Sequence, residues 1–421
     1  MRGKTGRLVA GAIAVACVLS VVSCSSDDGG GDSESSAVVS EAGTRASGDP
    51  IRIGHFNPSE GPAAQAGVST GQKAAVKYIN EQLGGIGGRP IEVIDCGVDQ
   101  AAPESTISCA NQFVEAGVAA AVDGYNAESV AALPILASAQ IPMVGQIAFN
   151  LATGAQGENR VYFGPPAVSF LVGFMENLKK TGNTSLTMTN SDLPGAHQLF
   201  DTVLTPLSRQ LGIDFKAVYY PPAGPNFTAL ATTMADGNPA AAGFLTAPND
   251  NTCTKLAQSL RSVKYQGIMF MAACTEFIDT LGAQAVGAQT YAPTWLPPAA
   301  DKAPEPVQKN LAIAEKYIEE QGGTGGFYAI GTFATFVDLV QGLNSLQQKD
   351  FTGAAVLSSL KTLTGYQSFI GPVLNCTSPT SPNCTSEMML FDVVADKKTE
   401  PVGGGFLTPN PAIMKNVPGA V

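Results

Sequence analysis

The sequence beyond residue 50 alternates short apolar segments with segments whose apolar residues recur at helical spacing. Residues 51–56 are typical of a buried strand, and residues 72–83 place Ala75 and Ile79 on one face of a helix. The same order recurs through residues 90–144. A strand followed by a helix and a further strand predicts parallel pairing with helices on both faces of the sheet. This alternation indicates a fold of the α/β class.

The alternation falls into two runs, which predicts two lobes. The first run covers residues 51–144, and the second starts near residue 165 and ends at residue 271. A proline-rich segment then precedes two long helices, predicted at 306–321 and 326–346. The 421 residues are enough for two such lobes. We expect each lobe to hold a doubly wound parallel sheet.

The first residues have the features of an export signal. Three basic residues within positions 2–7 precede an apolar stretch at 8–22, which is shorter than the about 20 residues that a membrane-spanning helix needs. Residues 1–23 are therefore predicted to be a signal peptide. The stretch ends at Cys24 in a pattern that resembles a bacterial lipoprotein signal, in which the cysteine carries the lipid. An ordinary secretory signal with an incidental cysteine is the alternative.

Residues 24–50 are predicted to be a flexible tether. From residue 25 this segment is rich in serine, glycine and acidic side chains and has no apolar periodicity. A lipid anchor followed by a tether would hold the folded body in water, at the outer face of the cell membrane.

Six cysteines lie in the part of the chain predicted to fold outside the cytoplasm. An oxidising compartment favours disulfides, and six cysteines allow 15 pairings. The simplest arrangement joins neighbours in the sequence, and its last pair would pin a hairpin between Val373 and residues 389–394. The three pairs are then Cys96–Cys109, Cys253–Cys274 and Cys376–Cys384.

Charge and motif content exclude several classes of function. The chain has 24 Lys and Arg against 35 Asp and Glu, for a formal net charge of −11, whereas nucleic-acid binding needs a basic face. With only His55 and His197, and no CxxC motif, we predict no metal site. The glycines of residues 84–88 run into a strand, which indicates a turn rather than a phosphate-binding loop. No cofactor is expected.

Several short segments together resemble the leucine/isoleucine/valine-type periplasmic-binding-protein family. No single segment would be enough, but the resemblance extends over about residues 50–400. The matching segments are Glu60-Gly61-Pro62-Ala63-Ala64, Gly84-Gly85-Ile86-Gly87-Gly88, Val122-Asp123-Gly124, Ile141-Pro142-Met143-Val144, Phe327-Tyr328-Ala329, Asp338 and Gly371-Pro372-Val373.

The resemblance implies a type I periplasmic-binding-protein fold, in which two lobes are joined by three hinge crossings. Residues 51–164 and 292–371 would form lobe 1, and residues 165–291 and 372–421 would form lobe 2. Such proteins mostly engulf a small-molecule solute and deliver it to the permease of an ABC importer. A monomer without enzymatic activity is therefore expected.

The candidate binding site is predicted at the ends of the strands. In open α/β sheets, ligands lie beyond the carboxyl ends of the strands, where helix N-termini present free N–H groups. Two such sheets that face each other form a cleft, which closes around the ligand by a hinge motion. The loops expected there are residues 57–65, 124–129, 145–150, 190–195, 247–251 and 274–277. The predicted ligand-binding residues are Glu60, Ala66, Asn126, Glu128, Ser129, Gln146, Ile147, Phe149, Asp192, Asn249 and Glu276.

This chain departs from the amino-acid binders that it resembles. Ala66 stands where a tryptophan is often found, and Glu128 replaces the Ser or Thr that bonds a ligand carboxylate. Pro194 replaces a tyrosine that frames the amino end, and Glu276 is spaced only loosely for pairing with an ammonium group. A carboxylate at Glu128 would repel that of an amino acid. We therefore expect a bulkier, partly apolar ligand with hydroxyl, amide or cationic groups, rather than a plain α-amino acid.

Alternatives exist for the residues and for the function. Glu128 could interact only with a helix dipole, and Asp192 and Asn249 are of types that close turns and cap helices. A solute sensor that signals to a membrane partner is a second functional hypothesis. A third is a serine hydrolase, because Gly67-Val68-Ser69-Thr70-Gly71 matches G-x-S-x-G. That motif requires a strand directly before the serine, and we expect Ser69 to begin a helix instead.

Overall fold

The computed structural model describes residues 43–155, 157–221, 223–244, 246 and 249–420. The predicted signal peptide, Cys24 and the tether as far as residue 42 lie outside these residues. Within the described part of the chain, no helix has the length and apolar character needed to cross a membrane.

The first five strands form one parallel sheet, which is the centre of lobe 1. They are β1 (Ile51–Glu60), β2 (Ile91–Asp99), β3 (Ala120–Asp123), β4 (Met143–Gly145) and β5 (Arg160–Tyr162), in the spatial order β2-β1-β3-β4-β5. Within β1, residues 53–58 are buried, as expected for a strand that has a parallel neighbour on each side and helices on both faces of its sheet.

A second sheet forms the centre of lobe 2. Its strands are β6 (Ser185–Ser191), β7 (Asp214–Tyr220), β8 (Ala241–Phe244), β9 (Ile268–Phe270), β10 (Ala288–Ala292), β13 (Met389–Val393) and β14 (Thr399–Pro401). Their spatial order is β14-β13-β10-β9-β8-β6-β7. A separate two-stranded ribbon is made by β11 (Tyr366–Gln367) and β12 (Val373–Leu374).

Helices connect the strands, as the apolar spacing predicts. They are α1 (Ala66–Gln82), α2 (Pro103–Ala116), α3 (Leu133–Ser138), α4 (Leu151–Gly154), α5 (Val168–Lys180), α6 (Pro194–Leu199), α7 (Thr205–Leu211), α8 (Phe227–Ala235), α9 (Asp250–Ser262), α10 (Glu276–Leu281), α11 (Glu305–Glu319), α12 (Phe327–Ser345), α13 (Gly353–Leu360) and α14 (Pro411–Met414). A π-helical turn at Phe200–Leu204 joins α6 to α7.

The chain passes between the two sheets three times. The passages lie between Tyr162 and Val168, between Ala292 and Glu305, and between Leu374 and Met389. This confirms the predicted α/β fold with two lobes and three crossings. One detail differs from the expectation, because β13 pairs antiparallel with β10, and β14 pairs antiparallel with β13.

The predicted hairpin between Val373 and residues 389–394 is wrong. β12 pairs with β11, whereas β13 pairs with β10 on one side and β14 on the other. Apolar alternation marks a segment as a strand without specifying its partner, and here the partner of β13 comes from a part of the chain about a hundred residues earlier.

Residues 43–50 do not behave as a free tether. The backbone N–H of Ala46 donates to the carbonyl of Asn80 at 2.9 Å, and that of Ser47 donates to Gly88 at 2.9 Å. Composition alone assigned this segment to the tether, but these hydrogen bonds hold it against lobe 1.

The predicted neighbour pairing of the cysteines is confirmed. Cys96–Cys109 joins β2 to α2, Cys253–Cys274 joins α9 to the loop after β9, and Cys376–Cys384 closes a loop within the third crossing. Each disulfide therefore joins segments that are close in the sequence.

Helix α12 is the most deeply buried helix of lobe 1, and α1 crosses it at very short range. A methyl group on Gly71 of α1 would overlap the backbone carbonyl of Ala329 in α12. Only a glycine permits the two helix backbones to approach this closely.

Asp338 fastens α12 to the segment that leads into the third crossing. Its carboxylate accepts hydrogen bonds from the hydroxyl of Ser368 at 2.6 Å, the backbone N–H of Phe369 at 2.7 Å and the hydroxyl of Tyr366 at 3.3 Å. Burial raises the pKa of Asp338 to about 7, although the hydrogen bonds from Ser368, Phe369 and Tyr366 act in the opposite direction.

The α1–α12 crossing gives a stability prediction. Gly71→Ala should lower the free energy of unfolding by about 1–3 kcal/mol, because the methyl group meets backbone rather than a flexible side chain. Urea unfolding followed by circular dichroism measures this change. Gly195→Ala is the control, since no atom lies within 4 Å of the added methyl group in α6. Equal effects of the two substitutions would contradict the close packing.

Candidate functional site

A cavity of about 380 Å³ lies between the two sheets, at the carboxyl ends of their strands. This is the position that the strand-end rule predicts, and the volume is in the usual range for sites that bind small organic molecules. The lining residues are Ala63, Gln65, Gln100, Ala127, Ile147, Phe149, Leu151, Ala167, Val168, Phe170, Leu171, Asn190, Ser191, Leu193, Leu199, Tyr220, Thr246, Ala272, Ala273, Cys274, Tyr291 and Tyr328.

Aromatic side chains from both lobes form much of the cavity wall. Phe170 stacks on Tyr291 in lobe 2 with the ring centroids 4.3 Å apart. In lobe 1, Phe149 and Tyr328 meet edge to face at 6.2 Å. Tyr125 lies behind them and contacts both rings, at 5.2 Å and 5.4 Å. Such ring pairs hold a large apolar surface in a fixed geometry.

Tyr125 takes an unusual backbone conformation to reach this position. Its φ is 64°, in the left-handed region that non-glycine residues seldom adopt. Its hydroxyl lies so close to Gly331 of α12 that any side chain at that glycine would overlap it. The loop after β3 and helix α12 are thus matched to each other beneath the cavity.

Amide side chains hold the loops around the cavity. Gln100 donates from Nε2 to the carbonyl of Ala63 at 3.0 Å and accepts from the backbone N–H of Ala127 at 3.3 Å. In lobe 2, Asn190 donates from Nδ2 to the hydroxyl of Thr246 at 3.3 Å. These bonds bring loops from different strands to one place.

None of the described residues that line the cavity carries a charged side chain. An ionised ligand group would have to leave water without a counter-charge from those residues, and that transfer is strongly unfavourable. The lining therefore favours ligands that are neutral where they contact the protein.

A second, smaller cavity of about 250 Å³ shares Gln65 and Tyr328 with the first. It contains Asp250 and Glu276, and one oxygen of Asp250 accepts from the backbone N–H groups of Thr275 at 2.8 Å and Glu276 at 3.0 Å. Burial raises the pKa of Asp250. The pKa of Glu276 is raised by burial and, to a smaller extent, by the charge of Asp250.

The two lobes touch across the cleft beside these cavities. Asn249 of lobe 2 donates from Nδ2 to the carbonyl of Pro62 in lobe 1 at 3.4 Å. The backbone N–H of Phe327 donates to the hydroxyl of Thr275 at 3.3 Å. These two hydrogen bonds join the lobes beside the cavities.

The predicted ligand-binding residues separate into three groups by position. Ile147 and Phe149 line the main cavity, and Ala66, Asn249 and Glu276 line the smaller one. The other six, Glu60, Asn126, Glu128, Ser129, Gln146 and Asp192, line neither.

Most members of the third group have partners within the protein. The amide of Asn126 donates to Thr106 at 2.8 Å, the hydroxyl of Ser129 donates to Thr153 at 3.0 Å, and Gln146 accepts from Thr335 at 3.2 Å. These local bonds bury the side chains behind the cavity wall. Sequence position next to a strand end could not reveal them.

The acidic members of that group also lie away from the cavity. Asp192 is exposed and pairs with His197 at 2.7 Å, and Glu60 is exposed at the end of β1. Glu128 is half-buried, and its pKa is raised by burial and, to a smaller extent, by Glu104. The proposed repulsion of a ligand carboxylate by Glu128 therefore loses its basis.

Several residues that line the main cavity were not predicted from the sequence. Gln100 follows β2 directly and Tyr220 ends β7, so the strand-end rule would have found both if it had been applied to those strands. Phe170 lies in helix α5. Tyr291 lies in β10, and this strand was not predicted from the sequence. No local signal in the sequence marks these two aromatic residues as lining.

Ser69 lies inside α1, with no strand directly before it. The strained strand-to-helix turn of a hydrolase nucleophile is therefore absent there, as expected. Among the described residues, no group of three or more His, Cys, Asp or Glu side chains could hold a metal ion.

A buried carboxylate holds the Tyr125 loop and gives a pH prediction. Asp123 accepts from the hydroxyl of Tyr162 at 2.6 Å and from the backbone N–H of Asn126 at 3.0 Å, and burial raises its pKa to about 6. The folded state thus binds a proton at a higher pH than the unfolded chain does. Its contribution to stability is complete below about pH 4 and is lost as the pH rises through 6.

Asp123→Asn should remove this pH dependence. The free-energy difference between wild type and variant, measured by urea unfolding, should be more favourable to wild type at pH 4 than at pH 6.5 by about 1–2 kcal/mol. Asp214→Asn, at an exposed position of β7, is the control and should leave the pH dependence unchanged. A difference that does not vary with pH would show that Asp123 titrates normally.

A family model described as "Periplasmic binding protein" matches residues 50–398. No curated protein sequence matches the chain. Solved structures with the same fold include an ABC transporter substrate binding protein from Aeropyrum pernix, with 13% identity, a TM-score of 0.70 and coverage of 86% of this chain and 97% of that one. An extracellular ligand-binding receptor from Rhodopseudomonas palustris HaA2 has 16% identity, a TM-score of 0.68 and coverage of 84% and 99%.

A third structure, described as "a possible leucine/isoleucine/valine-binding protein" from Rhodopirellula baltica SH 1, has 15% identity, a TM-score of 0.65 and coverage of 86% of this chain and 97% of that one. At such identities the structures are evidence for the fold alone. The family model confirms the predicted resemblance, and the family consists of solute-binding proteins rather than enzymes. Because the match spans most of the sequence, the chain belongs to the periplasmic binding protein family.

Proposed function

We propose that the chain is the solute-binding component of an ABC importer and engulfs a small organic solute between its two lobes. The observation that carries this proposal is the cavity at the carboxyl ends of both sheets, whose lining comes from both lobes. A site shared in this way is formed completely only when the lobes are closed, so that binding and closure are linked.

The solute is proposed to differ from a plain α-amino acid. Such a ligand carries an ammonium and a carboxylate group, and the described lining residues offer neither a cation nor an anion to pair with them. The aromatic and aliphatic wall instead suits a neutral, partly apolar molecule. The uncharged lining, rather than Glu128, thus disfavours an α-amino acid, and it offers no partner for a cationic group in the main cavity.

The two lobes are proposed to comprise residues 51–164 with 292–371 and residues 165–291 with 372–421. They would rotate about the three crossings, because few other segments have to change conformation when the cleft opens. The contact between Asn249 and Pro62 would break in the open state. We expect the protein to act as a monomer with respect to its ligand.

A lipid on Cys24, followed by residues 24–42 as a tether, is proposed to hold the protein at the outer face of the cell membrane, near the permease. A sensor that signals to a membrane partner is the alternative function. The Rhodopseudomonas palustris neighbour is described as a receptor, which keeps this alternative open. Co-purification of the chain with a permease would favour the importer.

A thermal-shift panel tests the binding site. Neutral, partly apolar solutes should raise the melting temperature of the wild type, because a ligand that binds only the folded state stabilises it. Ala127→Trp should abolish the shift by filling the cavity, whereas Ala229→Trp, at an exposed position of α8, should retain it. Tight binding of leucine or valine in calorimetry, without any response to larger neutral solutes, would contradict the proposed solute class.

Fractionation of cells that produce the full chain tests the anchor. Cys24→Ser should move the protein from the membrane fraction to the soluble fraction, because it removes the lipid attachment site. Cys17→Ser, within the predicted signal peptide, is the matched control and should leave the protein with the membrane. If the Cys24 variant stays membrane-bound, the anchor assignment is wrong.

A further inference from the structure

The main cavity has a polar end, which we define as Tyr220, Asn190, Ser191 and Thr246 of lobe 2. Ser191 and Tyr220 are direct partners in the register of β6 and β7. The amide of Asn190 reaches the hydroxyl of Thr246 at 3.3 Å. All four residues line the cavity and lie at or just beyond the carboxyl ends of β6, β7 and β8.

The rest of the lining is mainly apolar. Ile147 and Phe149 contribute from lobe 1, and Phe170, Leu171 and Tyr291 contribute from lobe 2. A ligand in this cavity would place an apolar body against these side chains and a polar group at the polar end. The absence of charged side chains among the described lining residues requires that polar group to be neutral.

Tyr220 differs from the other members of the polar end, because its hydroxyl is buried and has no hydrogen-bond partner among the described residues. The residue is only 5% exposed. Buried hydroxyl groups in folded proteins almost always have a partner, since an unpaired one loses its bonds to water without replacement. A missing partner in the lining of a ligand cavity therefore points to the ligand.

The position of the Tyr220 ring is fixed by its neighbours. The ring of Phe244 contacts the Tyr220 ring edge to face, with the centroids 6.2 Å apart. The backbone carbonyl of Tyr220 accepts a hydrogen bond from the N–H of Asp192 at 2.8 Å. Burial raises the pKa of Tyr220 to about 12, so the hydroxyl keeps its proton at neutral pH. The hydroxyl can therefore act as a hydrogen-bond donor, and because its oxygen has almost no accessible surface in this arrangement, a small shift of the neighbouring lining side chains has to open it to the ligand.

We propose that the Tyr220 hydroxyl donates a hydrogen bond to a neutral oxygen of the solute, and that the solute is a neutral ring compound with a carbonyl or hydroxyl group at one end. This inference rests on the proposed solute-binding function and specifies its ligand class. Tyr220 is then a specificity-determining residue, because it distinguishes oxygen compounds from hydrocarbons. Carboxylates are disfavoured by the lack of charged side chains among the described lining residues.

Three probes on one ring system test the proposal with the full folded chain. 2-Naphthamide has a neutral carbonyl, 2-naphthoate has a carboxylate, and 2-methylnaphthalene has no acceptor. Calorimetric or fluorescence titration of the wild type should give the tightest binding for the amide. Tyr220→Phe removes only the hydroxyl and should weaken amide binding about threefold to tenfold while leaving methylnaphthalene binding unchanged.

Tyr219→Phe is the matched control, because Tyr219 is the adjacent residue of β7 but stacks on His197 at 3.9 Å instead of lining the cavity. It should leave the affinity for all three probes unchanged. Tighter binding of the carboxylate, or an equal loss of affinity for amide and hydrocarbon in Tyr220→Phe, would overturn the proposal.

Failure of this inference can be distinguished from failure of the proposed function. If none of the three probes binds but another solute raises the melting temperature of the wild type and not of Ala127→Trp, the ligand class is wrong and the binding function stands. If no solute of a broad panel stabilises the wild type, the proposed function itself fails.

Discussion

The burial of α12 inside lobe 1 is the constraint on which the rest of the structure depends. This helix lies late in the chain, yet it packs against α1 and beneath a sheet whose strands lie between residues 51 and 162. Ala329 meets Gly71 at the closest approach of the two helices, and Gly331 leaves room for the hydroxyl of Tyr125. Lobe 1 is therefore completed by a helix that follows most of lobe 2 in the sequence.

The position of α12 late in the sequence explains why the chain crosses between the lobes more than once. A chain that builds one lobe from two separated segments must pass between the sheets more than once, and here it does so three times. Asp338 joins α12 to the segment before the third crossing through three hydrogen bonds. Helix α12 thus contacts Tyr125 beneath the cavity, and the carboxylate of Asp338 on the same helix holds the segment that leads into the third crossing. If the lobes move when a ligand binds, the movement would act on α12, which is fixed both at Tyr125 and at the segment before the third crossing.

Much of the fold could be predicted from the periodicity of apolar residues, whereas only the location of the site, and not its lining residues, could be predicted. The helices predicted at 306–321 and 326–346 are present as α11 and α12 to within two residues, and the disulfide partners are neighbours in sequence as expected. The strand-end rule also locates the cavity correctly. It does not identify which side chains line that cavity, because Asn126, Ser129 and Gln146 turn to partners in other elements. Their hydrogen bonds are made across long sequence distances.

The sequence by itself determined the α/β class, the two lobes and the ends of the strands near which a ligand should lie. These properties depend on local periodicity and on short sequence separations, so they can be read along the chain. Only the tertiary structure decided that β13 joins β10, that Phe170 and Tyr291 face the cleft and that its lining lacks charge. The pairing of β13 depends on which distant segments meet within one sheet, and the lining depends on which segments meet at the cleft. Local patterns carry no information about such contacts.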